Sequence, residues 1–268
     1  EKPPTRDVKT TFAFPHFSKI KFGISIIIRL LFIRSIELIA ITLCILFAMT
    51  KLIIFDWDDV FTIGSTRGYY ACYHQTLLEV GVHLDPNVEE SRIKARWGTT
   101  HEIELAELLQ ESPELIERAC LIYEKHLFGD TFLNALTTLP GIQDFINNLA
   151  KKYKLAIASG IHPKLLKEYI FPRFKIPNAF SKIVTSYDLK DMNESKPNPL
   201  MVNMILNDLN IKPEDAVLVG DAKNDVMMAK NAGIKPIVVL SGHLDRREAI
   251  NLGVTSIIAD VTKLNDVL

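Results

Sequence analysis

The chain has 268 residues, of which 48% are hydrophobic and 24% charged, a globular composition that excludes a disordered or collagen-like chain and allows a sizeable core. Lys+Arg 31 against Asp+Glu 32 leaves a formal charge of −1, so no nucleic-acid partner and no bulk attraction to an anionic membrane are expected. Cys44, Cys72 and Cys120 are widely spaced without a CxxC pair, which supports neither a disulfide framework nor a zinc cluster and fits a reducing, cytoplasmic setting.

Residues 1–50 read as a hydrophobic extension. Ile20 to Met49 is dominated by Ile, Leu and Phe, but Arg29, Arg34 and Glu37 interrupt it. The uncharged run Leu38 to Thr50 falls short of the about 20 apolar residues a spanning helix needs. Lys19, Lys21, Arg29 and Arg34 ahead of that run resemble the basic flank of a signal peptide or anchor. Because a buried strand opens at Lys51, with almost no linker before it, residues 1–48 are expected to be an upstream extension outside the working protein. Membrane anchoring through residues 20–49 is the alternative, and membrane association is expected only in that case.

From Lys51 onward, short apolar runs alternate with amphipathic stretches. Leu52–Phe55, Leu155–Ala158, Ile183–Thr185, Ala216–Val219, Pro236–Leu240 and Ser256–Ala259 read as strands buried on both faces. Between them, Pro197-Asn198-Pro199 opens a helix over Leu200–Leu209, and Gly233 closes one over Ala222–Asn231. This alternation predicts an α/β fold with a Rossmann-like parallel sheet core and helices on both faces. Between Thr62 and Pro140 no strand-like run occurs, and helices are expected near Tyr69–Val80, Pro86–Trp97, Glu102–Gln110 and Pro113–Leu127. Asp85-Pro86 and Ser112-Pro113 place a capping side chain before a first-turn proline, and Thr99 with Glu102 matches a capping box. The expected organisation is a catalytic core over 51–64 and 138–268, with an inserted α-helical cap over 65–137.

Chemistry-bearing residues stand at the ends of the apolar runs. Asp56 and Asp58 follow the first and, by strand alternation, share a side at the edge where open α/β sheets bind ligands. Two such carboxylates repel unless compensated, and Mg²⁺, a hard cation, accepts carboxylate and phosphate oxygens together. Gly220-Asp221 follows another run, with Asp225 one turn into the next helix, placed to hold a metal-bound water or orient a lysine. Ser159-Gly160 ends a third run with donors suited to a phosphate or to an ordinary N-cap. Lys196, just before Pro197, offers a compact positive charge for phosphoryl oxygens, or is a surface lysine.

Asp-x-Asp, Ser-Gly, Lys-Pro and Gly-Asp-x-x-x-Asp in this order resemble the haloacid dehalogenase superfamily from Lys51 to about Ala259. The helical insert is similar to the cap of its phosphoglycolate phosphatase and β-phosphoglucomutase branch, and Leu139-Pro140-Gly141-Ile142 looks like the return to the core. The resemblance implies a phosphatase acting on a small phosphorylated metabolite. In it Asp56 is the nucleophile, Asp58 the general acid/base, and Ser159, with Gly160, and Lys196 the phosphate clamp. It also implies Mg²⁺ held by Asp56, the Asp58 backbone carbonyl and Asp221, with Asp225 beside them. One departure is Asp59, where many relatives have glycine. A sugar phosphomutase is the enzymatic alternative, and a catalytically inactive binding protein of the same fold the alternative outside enzymology. Arg96 and His101, in the segment Arg96-Trp97-Gly98-Thr99-Thr100-His101, stand as substrate-binding candidates or as cap structure, and Trp97 is expected to pack within the cap. Arg67 is a contact to the substrate or a solvated charge. A monomer or dimer is expected.

Overall fold

The computed structural model describes residues 50–97 and 99–268. The expected extension and its anchor alternative, over residues 1–49, lie outside the described residues. Among the described residues, no helix is long and apolar enough to cross a membrane.

Leu52-Ile-Ile-Phe forms β1 (Leu52–Phe55), and all four side chains are buried, as a run with apolar residues on both faces requires. After it come β2 (Thr62–Ile63), α1 (Ser65–Val80), α2 (Pro86–Arg96), α3 (His101–Leu108), α4 (Ile116–Leu127), α5 (Asp130–Leu133) and β3 (Thr137–Thr138). The remainder comprises α6 (Ile142–Ala150), β4 (Lys154–Ser159), α7 (Phe171–Arg173), β5 (Phe180–Thr185), α8 (Leu200–Leu209), β6 (Ala216–Gly220), α9 (Lys223–Asn231), β7 (Lys235–Val239), α10 (Arg246–Asn251) and β8 (Ser256–Ile258).

The described strands form a six-stranded sheet in the order β5-β4-β1-β6-β7-β8, parallel throughout. The chain winds outward from β1 through β4 to β5, then returns to the other side through β6. The crevice between β1 and β6 is therefore a topological switch point, where open α/β sheets take their ligands. In register, Phe55 lies opposite Ile157 of β4 and Val219 of β6, so Asp56, Ser159 and Asp221 emerge at one edge. Alternate residues of β1 serve opposite cores. Leu52 and Ile54 pack with Val202, Ile205 and Leu206 of α8, while Ile53 and Phe55 pack in the core that holds Ile142 and Ile146 of α6.

The six expected strands all form, and the helices fall close to the expected spans. In contrast to the reading that no strand lies between Thr62 and Pro140, Thr62–Ile63 and Thr137–Thr138 pair antiparallel. This two-stranded ribbon clamps the two ends of the helical insertion, and each strand is too short to carry a period-2 signal. Asp85 caps α2 by accepting from the Asn87 N–H at 2.9 Å. Ser112 makes no such cap, and Pro113–Leu115 is a 3₁₀ turn ahead of α4. Thr99 spends its hydroxyl on the Arg96 carbonyl, so the expected capping box at Thr99 and Glu102 does not form, and α3 opens after Thr100.

The insertion shares the core of the sheet. Trp57, fully buried just past β1, packs against Phe61, Phe171 and Phe180, and Phe132 of α5 lies against Tyr69 of α1 with ring centroids 4.6 Å apart. Gly68 lets that ring in, since a Cβ there would stand 2.8 Å from Phe132. Phe132→Ala is therefore expected to destabilise the protein by about 3–5 kcal/mol, measured by denaturant unfolding. A loss below about 1 kcal/mol would show that the α1–α5 packing does not contribute to the cooperative fold.

Candidate active site

Five buried or half-buried charged side chains converge at the β1/β6 edge: Asp56, Asp58, Asp221, Asp225 and Lys196. The Lys196 Nζ lies 2.9 Å from Asp56 Oδ1 and donates to Asp225 Oδ1 at 2.6 Å. Its side chain is only 5% exposed, so the alternative of a surface lysine fails. Burial lowers the basicity of this ammonium, but Asp225 and Asp56 outweigh burial and hold it charged. Asp225 also accepts from the Ala222 N–H at 3.1 Å. Of its two expected duties, orienting the lysine is the one the described contacts show.

Asp56, Asp221 and Asp225 each present an oxygen within 4.8 Å of the others. Burial, then Asp225 and Asp56, push the Asp221 carboxyl well above the usual carboxylate range. Asp225 is raised by burial, against the opposing pull of Lys196. Among the described residues, Asp58 Oδ1 is buried without a hydrogen-bond donor, while Asp56 Oδ1 has the Lys196 ammonium 2.9 Å away. Three hard carboxylate groups crowded around one ammonium are a donor set that fits a divalent cation such as Mg²⁺. The Asp58 side chain is not part of this triad.

Asp58 also stands in surroundings unfavourable to a carboxylate. Burial first, then the charges of Asp56 and Asp59, push its pKa up to about 8, against hydrogen bonds from Ser65 and Tyr69. The Tyr69 hydroxyl donates to Asp58 Oδ2 at 3.1 Å. Burial and the neighbouring Asp58 keep that phenol protonated. The departure at Asp59 has a backbone explanation, because its φ of +54° is left-handed, a region that glycine and, among other residues, Asp and Asn tolerate. Its carboxylate accepts from the Gly64, Ser65 and Thr66 N–H groups at 3.0, 3.2 and 3.1 Å. Asp59 thus ties down the N-terminus of α1 as well as adding charge beside Asp58.

Two glycines permit the crowding. A Cβ on Gly220 would stand 2.5 Å from Asp225, and one on Gly242 would stand 1.9 Å from Asp221. The loop after β7, which holds Gly242, carried no expected site residue. It also supplies the His243 N–H to Asp221 Oδ2 at 2.9 Å and the Ser241 hydroxyl to the Asp59 carbonyl at 2.7 Å.

The cavity above this cluster is lined by Ser159 and Gly160, together with residues of the insertion. Ser159 is buried, and its Oγ accepts from the Ile161 N–H at 3.3 Å in a turn at the end of β4; the following helix starts only at residue 163, so Ser159 is not its N-cap. His101 also lines the cavity, with the Tyr187 hydroxyl 2.7 Å from its Nδ1. Burial lowers its pKa, against the opposing charges of Glu102 and Glu124. Arg96 is not among the lining residues. Its Nε donates to Glu107 at 2.9 Å on the exposed face of α2, because a residue one position from Trp97 lies about 100° around the helix. Arg67 also points elsewhere, donating to the Ala135 carbonyl at 3.2 Å. Trp97 packs on Tyr69 and Tyr70 of α1, as expected of a residue within the cap, and it also lines the cavity and stands edge-on to His243 of the core at 5.4 Å. Tyr69, Trp97, Glu104, Tyr187 and His243 were absent from the expected site. They lie on helices and loops whose inward faces only the tertiary fold selects.

A haloacid dehalogenase-like hydrolase family model matches residues 53–239. A glyceraldehyde 3-phosphate phosphatase of Methanothermobacter thermautotrophicus is 29% identical over 240 residues, covering 82% of this chain and all of that protein. A phosphoglycolate phosphatase of Vibrio vulnificus is 25% identical over 228 residues, covering 81% of this chain and 96% of the relative. Among solved structures, a haloacid dehalogenase-like family hydrolase from Streptococcus pneumoniae aligns with a TM-score of 0.64 at 21% identity. It covers 82% of this chain and 98% of that one. A hydrolase from Pseudomonas syringae aligns with a TM-score of 0.65 at 22% identity, covering 81% and 97%. The solved structures agree with the parallel α/β fold, and the chain belongs to the haloacid dehalogenase-like hydrolase family.

Proposed function

We propose that this enzyme, a phosphatase of the haloacid dehalogenase-like family, hydrolyses the monoester of a small phosphorylated metabolite through an aspartyl-phosphate, with Mg²⁺ as cofactor. The reading is carried by two carboxyls on one edge in different surroundings. Asp56 lies 2.9 Å from the Lys196 ammonium, whereas Asp58 lies against the Tyr69 hydroxyl, where burial and the charges of Asp56 and Asp59 push its pKa up to about 8.

Asp56 attacks phosphorus in line, an acyl–phosphate bond forms and the bond to the leaving oxygen breaks. Asp58 passes its proton to that oxygen, so the alcohol departs neutral. The resulting Asp58 carboxylate then takes a proton from water, which attacks the phosphorus, freeing Asp56 and inorganic phosphate and restoring the Asp58 acid. Tyr69 orients the Asp58 carboxyl, and Asp225 holds Lys196 where its charge offsets that of the phosphoryl oxygens. Ser159 and the Gly160 backbone are assigned to phosphate binding. Asp56, Asp221 and the Asp58 backbone carbonyl would hold Mg²⁺, with Asp225 beside them, and the ion supplies charge neutralisation between carboxylate and phosphoryl oxygens. The helices of 65–137 are assigned the role of a cap over the cavity.

Asp56→Asn is expected to lower turnover by more than about a thousandfold with an unchanged thermal midpoint, because an amide is no useful nucleophile. Near-normal phosphate release from the purified variant would refute the assignment. Chelation by EDTA is expected to stop phosphate release and added Mg²⁺ to restore it. Ca²⁺ is expected to inhibit, since its larger and looser coordination misplaces Asp56. Equal rates with both ions would contradict the metal assignment.

Asp58→Ala is expected to cost alkyl phosphates on the order of 10²–10⁴ in phosphorylation rate, and aryl phosphates with an acidic phenol far less. Single-turnover kinetics on the two substrate types decide this, and equal fractional losses would remove Asp58 from the acid role.

A further inference from the structure

The loop after β7 touches both segments that carry the carboxylate cluster. β7 pairs with β6 so that Val238 lies opposite Gly220, and the Leu240 N–H is still bonded to the Ile258 carbonyl at 3.0 Å. The chain therefore leaves an anchored strand beyond the level of Gly220 and turns back over Asp221. There the His243 N–H donates to Asp221 Oδ2 and the Leu244 N–H to the Asp221 carbonyl, both at 2.9 Å. Gly242 lies so close to Asp221 that a side chain on it would displace the carboxylate.

At its start the same loop reaches the segment after β1, where the Ser241 hydroxyl donates to the Asp59 carbonyl at 2.7 Å. That segment needs such a tie. The ladder between β1 and β6 ends at Phe55 opposite Val219, with one further bond from the Asp56 N–H to the Val219 carbonyl at 2.9 Å. The sheet therefore fixes Asp56 against Asp221, but Asp58 and Asp59 lie beyond it, in a turn where Asp59 adopts a left-handed backbone with φ of +54°. Asp59 is held from two sides instead. Its carboxylate takes the N–H groups that open α1, and its carbonyl takes the Ser241 hydroxyl.

We propose that Ser241 is a positioning residue of the metal site: its hydroxyl fixes the turn of Asp58 and Asp59 to the loop that aims Asp221, and so sets the spacing of the groups that hold Mg²⁺. The proposal rests on the metal assignment above and adds a residue from outside the carboxylate cluster. Groups that orient a metal ligand without touching the ion typically cost tenfold or more in affinity or activity when removed. A ligand set whose parts come from separate segments is sensitive to such a tie, because Mg²⁺ demands near-ideal octahedral geometry.

Mn²⁺, which takes the same hard oxygen ligands, is the probe, and paramagnetic resonance of the free ion reads its affinity for the full chain without substrate or turnover. Ser241→Ala is expected to weaken Mn²⁺ binding by about tenfold and to raise the Mg²⁺ concentration for half-maximal phosphate release by a similar factor. At saturating Mg²⁺ its kcat is expected to stay within about threefold, since the lost tie acts on metal binding. Ser241→Thr keeps the hydroxyl and is expected to bind Mn²⁺ within about twofold of the unsubstituted protein. Circular dichroism and thermal unfolding check the fold of both variants. Unchanged Mn²⁺ affinity in Ser241→Ala would overturn the proposal, even with a lowered thermal midpoint, because that is the result a purely structural tie gives. Equal losses in Ser241→Ala and Ser241→Thr would also overturn it, by removing the hydroxyl from the role. Failure of the unsubstituted protein to bind Mn²⁺ would instead sink the metal assignment, and the proposal with it.

Discussion

Everything at the sheet edge depends on how four carboxyl groups, Asp56, Asp58, Asp221 and Asp225, are held together with one ammonium out of water. An isolated buried charge costs several kcal/mol even after relaxation, and like charges raise that cost. One lysine can neutralise one carboxylate, and the rest must take up protons or share a second cation. The upward shifts of Asp58, Asp221 and Asp225 are the proton answer to this imbalance. The crowding of Asp56, Asp221 and Asp225 around a single ammonium marks where a metal would change the answer. The site is thus destabilised in a form that its own reactants relieve, a common way of storing reactivity in a rigid scaffold.

The scaffold is rigid for an equally plain reason. β1 is central, pairs with a parallel strand on each side and buries every side chain, so Asp56 has almost no freedom in where it emerges. β6 delivers Asp221 with the same rigidity, and Gly220 and Gly242 remove the Cβ atoms that would force Asp225 and Asp221 out of the cluster. A methyl group at Gly242 would overlap a carboxylate oxygen of Asp221.

This much was legible in the sequence. Apolar runs that end in Asp, Ser-Gly or Gly-Asp state both the strand and the edge at which it stops, and the spans of β1 and α8 follow directly from Leu52–Phe55 and Leu200–Leu209. The cavity wall was less legible. Arg96 and Trp97 are neighbours in sequence, yet the first faces solvent with Glu107 and the second faces the cavity. No pattern within α2 tells which of them meets the core. Glu104 carries no signal of its own in the sequence, because its burial depends on α3 packing against α4. Asp59 read as surplus charge, because its capping bonds reach a helix start several residues on.

One element connects the legible half to the illegible one. Helix α1 begins in the core, fixed by Asp59, and its next turns carry Tyr69 to Asp58 and then Tyr73 to Glu104. Residues four apart share one face and lie about 6 Å apart along the axis. The two tyrosines therefore set the acid and the far carboxylate at a fixed spacing along a single rigid helix. The place of the acid at the core edge is thus tied to the packing of the insertion through one helical turn rather than through a flexible loop.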